Sequence, residues 1–78
     1  MRLYVPGPAG KTVSLGLRVY NLQGRLVRVL HAGQTETGWR TWIWDGRDGA
    51  GQTQASGVYL LRAEASGQVR TQKMALVK

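Results

Sequence analysis

The stretch WRTWIWDGRDGAG, residues 39–51, tells more about the architecture of this 78-residue chain than any other segment. It holds all three tryptophans, and Trp42 and Trp44 share a parity, so on an extended strand both project from the same face. Because the chain has no Phe and no Cys, this pair is the largest apolar volume that it can bury. We therefore expect the structural core to be built around Trp42 and Trp44.

The same stretch ends in a turn rich in aspartate and glycine. Asp45 and Asp48 are each followed by a glycine, and aspartate hydrogen-bonds nearby backbone while glycine allows positive φ, so the strand should end there. Two close carboxylates also suggest a calcium or acid/base site. Their spacing does not fit a calcium loop, which needs oxygen ligands at alternate positions and a later bidentate glutamate. We therefore predict that both aspartates cap the turn, and we expect no metal and no cofactor.

Length and composition predict one small globular domain. The chain is 42% hydrophobic, with 11 glycines and two prolines, and with no cysteine its stability must come from packing and strand pairing. No apolar run approaches the roughly 20 residues that span a bilayer. A strand pattern begins at Arg2 without a leader. We expect residues 1–78 to form a single, monomeric domain excised from a longer protein.

The charge balance favours anionic partners, since 11 Lys and Arg stand against four Asp and Glu, a net charge of +7. These basic residues are nevertheless dispersed at about one per strand or turn, without a polybasic run and without interleaved aromatic residues. The dispersion favours a solvated surface. The alternative is a contact surface for an anionic partner such as lipopolysaccharide, polysaccharide or nucleic acid, and of these nucleic acid is not the partner that we expect.

Alternation of apolar and polar residues predicts strands along most of the chain. The cleanest case covers residues 12–20, where every second residue is apolar: Val13, Leu15, Leu17 and Val19. Residues 21–24 then predict a tight turn with Gly24 at a positive-φ position, followed by a hairpin partner over residues 25–31.

Shorter strands complete the pattern. The single histidine, His31, is interpreted as a turn residue, because no second histidine or cysteine accompanies it as a metal ligand. Residues 32–38 predict a polar loop. Further strands are predicted over residues 2–5, 39–44, 52–54, 58–65 and 69–78. Short strands without helical periodicity indicate an all-β, antiparallel sandwich, with a five-stranded barrel as the alternative.

Residues for catalysis are not arranged in any recognisable pattern. Around Ser14, Ser56 and Ser66 no histidine and carboxylate are arranged as the partners of a nucleophile, so none of these serines has a visible base. The glycines do not form a phosphate-binding loop, because no helix is predicted to follow them. We therefore predict that the chain is not an enzyme and has no catalytic residues.

Four blocks of sequence resemble a known family. They are VYNLQGRLV at 19–27, WDGRD at 44–48, ASGVYL at 55–60 and KMALVK at 73–78. Together they resemble the flagellar-hook-cap-like (FlgD-like) immunoglobulin-like domain. More closely, they are similar to the version that ends secreted proteins of the Bacteroidetes and relatives, the type IX secretion C-terminal sorting domain (type A).

This resemblance implies a small seven-stranded immunoglobulin-like β-sandwich without catalytic activity, appended to an enzyme or adhesin. In the family, the outer-membrane translocon recognises the domain as cargo, and a sortase-like step removes it. The passenger, exported through the periplasm, is then secreted or held at the cell surface on anionic lipopolysaccharide. The Gly-x-Tyr motif of the family falls on Gly57 and Tyr59, and its lysine-bounded terminal motif falls on Lys73 and Lys78.

Two departures from the family keep other functions open. The family usually begins with an Asn-Pro-rich segment that is missing here, and its members usually carry lighter residues at the positions of Trp39 and Trp42. Because Trp39 has the opposite parity to Trp42 and Trp44, we expect it to face outward. There it is a candidate for stacking on sugar rings, and the alternative is a simple edge-packing role. A carbohydrate-binding or spacer module of a polysaccharide-degrading enzyme and a hook-cap-like structural domain are therefore the alternatives to a sorting signal.

Overall fold

A computed structural model describes residues 2–65 and 67–77, and in these residues the chain forms strands and no helix. The six strands found there are β1 (Arg2–Val5), β2 (Thr12–Tyr20), β3 (Leu26–Glu36), β4 (Gly38–Thr41), β5 (Gly57–Ala65) and β6 (Gln68–Leu76). None of the described segments is a helix that could cross a membrane.

The strands form two antiparallel sheets. The large sheet has the order β3-β2-β5-β6, and the small sheet pairs β1 with β4. This arrangement agrees with the predicted all-β sandwich, but the described residues contain six strands where seven were expected. The predicted strand at residues 52–54 is the missing one: the segment makes only an isolated bridge, between Arg47 and Thr53, because the turn folds back on itself there.

The buried core lies on the two central strands of the large sheet. Leu17 and Val19 on β2 are 0% exposed, and Leu61 on β5, the cross-strand partner of Val19, is 1% exposed. The bounds predicted for residues 12–20 are confirmed, and so is the inward face of that strand. Trp42 and Trp44 are half-buried and pack against this aliphatic cluster from its margin.

The β2–β3 hairpin confirms the predicted turn. Gly24 has a φ of 84°, and the side-chain oxygen of Asn21 accepts hydrogen bonds from the backbone N–H of Gln23 at 3.1 Å and of Arg25 at 2.9 Å. These two bonds fix the reversal of the chain, since aspartate and asparagine readily form turns with their own backbone.

The prediction of a polar loop over residues 32–38 is wrong for most of its length, because β3 continues to Glu36. Its second half pairs with β2 down to Thr12, although Ala32, Gly33 and Gln34 are exposed. Backbone pairing with a neighbouring strand holds this segment without buried side chains. His31 consequently lies within the strand and not at a turn, with its ring centroid 5.7 Å from that of Trp42.

The predicted tryptophan strand is shorter than expected. β4 ends at Thr41, which pairs with Arg2, the first residue of the antiparallel strand β1. Trp42 and Trp44 continue beyond the small sheet with the predicted alternation: both are half-buried, and Ile43 between them is 85% exposed.

Candidate functional site

The turn after the tryptophans is held by its two aspartates. Asp45 Oδ1 accepts the N–H of Arg47 at 3.0 Å, and Asp48 Oδ1 accepts the N–H groups of Ala50 at 3.0 Å and Gln52 at 2.9 Å. These local bonds confirm the predicted capping role. Within residues 2–65 and 67–77, no three His, Cys, Asp or Glu side chains come close enough together to hold a metal ion.

Arg28 of β3 fastens this turn to the large sheet. Its Nη1 donates to Asp45 Oδ1 at 3.4 Å and to the carbonyl oxygen of Asp48 at 3.3 Å, while the N–H of Gly49 donates to the carbonyl oxygen of Val27 at 3.1 Å. The Arg28–Asp45 pair is partly exposed, so it stabilises the domain by at most about 1 kcal/mol. The turn is therefore attached to β3 by several weak contacts of Arg28 and by one backbone hydrogen bond.

The Gly-x-Tyr motif makes contacts that belong to the fold. Tyr59 is 7% exposed, and its hydroxyl donates to the carbonyl oxygen of Ala55 at 2.6 Å. Its ring meets Trp44 edge-on with centroids 4.9 Å apart, and Trp44 Nε1–H donates to the carbonyl oxygen of Arg47 at 2.9 Å. Gly57 is exposed at the first position of β5. Because the Tyr59 ring is buried, any contribution that it makes to recognition acts through the shape of the domain.

The lysine motif lies on an edge strand. β6 pairs with β5 on one side and, in the part of the chain that the structure describes, with no strand on the other. All its residues from Gln68 to Lys73 are exposed, and Lys73 stands opposite Leu60 of β5. Lys78 lies outside the described residues. An exposed edge strand offers unpaired backbone groups and accessible side chains to a partner protein.

Trp39 lies on the outer face of the small sheet, as its parity predicts. It is 58% exposed, its ring meets that of Tyr4 edge-on with centroids 5.4 Å apart, and the Arg2 guanidinium carbon lies 4.6 Å from its ring centroid. Such a cation–π contact at an exposed site contributes about 0.5–1 kcal/mol. Arg2 thus covers part of the indole face on which a sugar would stack, and the glycan contact stays a prediction.

The structure also brings together a groove that the sequence did not predict. It has a volume of about 420 Å³ and lies between β1 and the inner sides of β5 and β6, with Arg2 and Arg70 among its lining residues. These two arginines come from opposite ends of the chain. No local pattern signals such a site, because it depends on how the first and last strands are placed relative to each other.

Comparison with known proteins identifies the family of this fold. The chain matches the family model described as FlgD Ig-like domain over residues 1–68, a segment that contains β1 to β5 and the Gly-x-Tyr motif. Most of β6, with Lys73, lies beyond the match. No curated protein and no solved structure matches the chain significantly. Because the match covers most of the sequence, the chain belongs to the FlgD Ig-like domain family.

Proposed function

We propose that this domain is a non-catalytic sorting signal for protein export. The type IX translocon and its sortase-like enzyme recognise it on the protein to which it is attached. The proposal rests on the exposure of β6, which is an edge strand with the side chains of Gln68 to Lys73 exposed. Strand edges are common docking sites, because their unpaired backbone groups and alternate side chains are both accessible. The resemblance of residues 73–78 to the terminal sorting motif supports the same strand.

A second function is favoured by the family match itself. The FlgD Ig-like family supports a hook-cap-like structural role, and the matched residues 1–68 do not include Lys73. A structural module of this kind would need the fold, but it would not need Lys73 or Lys78. The two functions therefore differ in what they require of Lys73 and Lys78.

Replacing Lys73 and Lys78 with glutamine is expected to lower export about fivefold or more, since two charged contacts of about 0.5 kcal/mol each give that factor. The free energy of unfolding should change by less than about 0.5 kcal/mol, because Lys73 is exposed. A reporter fused in front of the domain would be expressed in a bacterium with a type IX system. The measurement is the reporter fraction on the cell surface and in the medium.

The matched control replaces Lys11 and Arg25 with glutamine, because both are exposed outside the strands and their loss removes the same charge. This control should be exported like the parent fusion. Equal export of the parent and of the variant changed at Lys73 and Lys78, with both domains folded, would contradict a role for the lysines and favour the structural function.

A further inference from the structure

The groove between the sheets follows the free edge of β1. All of residues 2–6 line it. Successive side chains of a strand point to opposite faces of its sheet, so a cavity that touches five residues in succession lies along the edge of the strand and not on one face. The groove therefore has the shape of a site for an extended chain.

The edge of β1 that lines this groove has unpaired backbone groups. β1 pairs with β4 alone among the described strands. In an antiparallel pair, only alternate residues exchange hydrogen bonds with the partner, and the residues between them direct their N–H and C=O groups to the other side. β1 can thus donate and accept backbone hydrogen bonds along the groove.

The opposite side of the groove shows that the small sheet leaves part of the large sheet uncovered. Leu61, Ala63 and Ala65 of β5 line the groove, and their partners on β6 are Gln72, Arg70 and Gln68 respectively. Cross-strand partners point to the same face of a sheet. The three β6 side chains therefore face the space between the sheets, yet all three are exposed. There is room beside β1 for a further strand, which would lie about 4.8 Å from it.

The charge of the groove selects the kind of chain that fits. Arg2 and Arg70 line it, and no carboxylate does so in the described residues. The four carboxylates of the chain are engaged elsewhere: Glu36, Asp45 and Glu64 in ion pairs with arginines, and Asp48 in its turn. A net charge of +7 disfavours a second copy of this chain as the occupant.

We infer that the groove binds an extended, acidic peptide segment of another protein, which adds to the small sheet as a third strand along β1. Its backbone pairs with β1, its inward side chains cover the half-buried Ala63, and an inward carboxylate pairs with Arg70. Lys73 lies on the opposite face of β6 from Arg70, because the two positions differ in parity. This site is therefore independent of the lysines invoked for export.

A blocked seven-residue peptide of sequence TVTETVT tests the site, since its central glutamate and two valines share one face. Titration of the 78-residue chain, followed by NMR, should give saturable shifts of the Trp39 indole and of the amides of residues 2–5. The peptide TVTQTVT should bind about tenfold more weakly, because it loses the charged partner of Arg70. Arg70→Glu should weaken TVTETVT binding by at least the same factor.

Arg25→Glu is the matched control, because it makes the same charge change on an exposed residue of the β2–β3 turn, and it should leave peptide binding unchanged. A version of TVTETVT with methylated backbone nitrogens should not bind, since it cannot donate to β1. The inference is overturned if about 10 mM peptide causes no NMR shifts, or causes shifts only outside the Trp39 indole and residues 2–5. Equal binding of the methylated and unmethylated peptides would also overturn it. Arg70-dependent binding of an acidic oligosaccharide, with no peptide binding, would overturn it in favour of a sugar site.

Discussion

Replacing Leu17 with alanine is expected to lower the free energy of unfolding by about 3–5 kcal/mol. Leu17 is 0% exposed on β2, which pairs with β3 on one side and β5 on the other. Truncation there removes buried carbons and leaves a cavity that two paired strands prevent from closing. The loss is comparable with the whole stability, of order 5 kcal/mol, that a domain of this size has.

Leu22→Ala removes the same atoms from the exposed β2–β3 turn and serves as the control. Its side chain is 63% exposed, so the change should cost less than about 0.5 kcal/mol. Urea denaturation followed by circular dichroism measures both variants. A loss below about 1 kcal/mol for Leu17→Ala, or one equal to that of Leu22→Ala, would show that β2 is not the centre of the core.

Replacing Trp44 with alanine is expected to cost about 3 kcal/mol, the lower end of the range for buried tryptophans, because Trp44 is half-buried. The change removes the edge contact with Tyr59 and the hydrogen bond to the carbonyl oxygen of Arg47. The ring contact joins the turn to β5, and the hydrogen bond closes the turn itself. The variant should therefore also loosen the turn, which faster amide exchange at Ala50 and Gln52 would reveal.

Trp39→Ala is the comparison for Trp44→Ala, since it deletes the same side chain from the outer face of the small sheet. We expect a cost of at most about 1 kcal/mol, which comes mainly from its contacts with Arg2 and Tyr4. Denaturation is best followed by far-ultraviolet circular dichroism, because both variants change the fluorescence. A larger cost for Trp39→Ala than for Trp44→Ala would mean that their structural roles are reversed.

Local patterns were sufficient for the hairpin at the centre of the fold. The alternation at residues 12–20 and the Asn21 to Gly24 turn depend on side chains and backbone angles close together in the sequence, and both match the structure. The ends of β3 and β4 do not follow from local patterns. β3 continues through exposed residues because β2 pairs with it, and β4 ends opposite Arg2, the first residue of β1.

Size alone did not locate the centre of the core. The tryptophans are the largest side chains, but Trp42 and Trp44 follow β4 at the margin of the small sheet and are half-buried there. Leu17 and Leu61 are smaller and fully buried, because they stand on the two central strands of the large sheet, where neighbours cover them on every side. Position within the sheets therefore outweighs side-chain volume.

The candidate sites also differ in how far they could be predicted from the local sequence. The capping aspartates could be predicted, since their partners lie two to four residues away. The outward position of Trp39 followed from parity. The groove could not be predicted, because Arg2 and Arg70 face it only after the first strand has been placed over the last two.

Export of an attached reporter is the most direct test of the proposed sorting signal. A reporter with a signal peptide would be fused in front of residues 1–78, and its surface and medium fractions measured in a type IX-competent bacterium and in a translocon-deficient strain. We expect export of the fusion in the competent strain alone, and retention of the reporter without the domain in both strains. Equal export without the domain, or retention of a fusion whose purified domain unfolds cooperatively, would contradict the proposal.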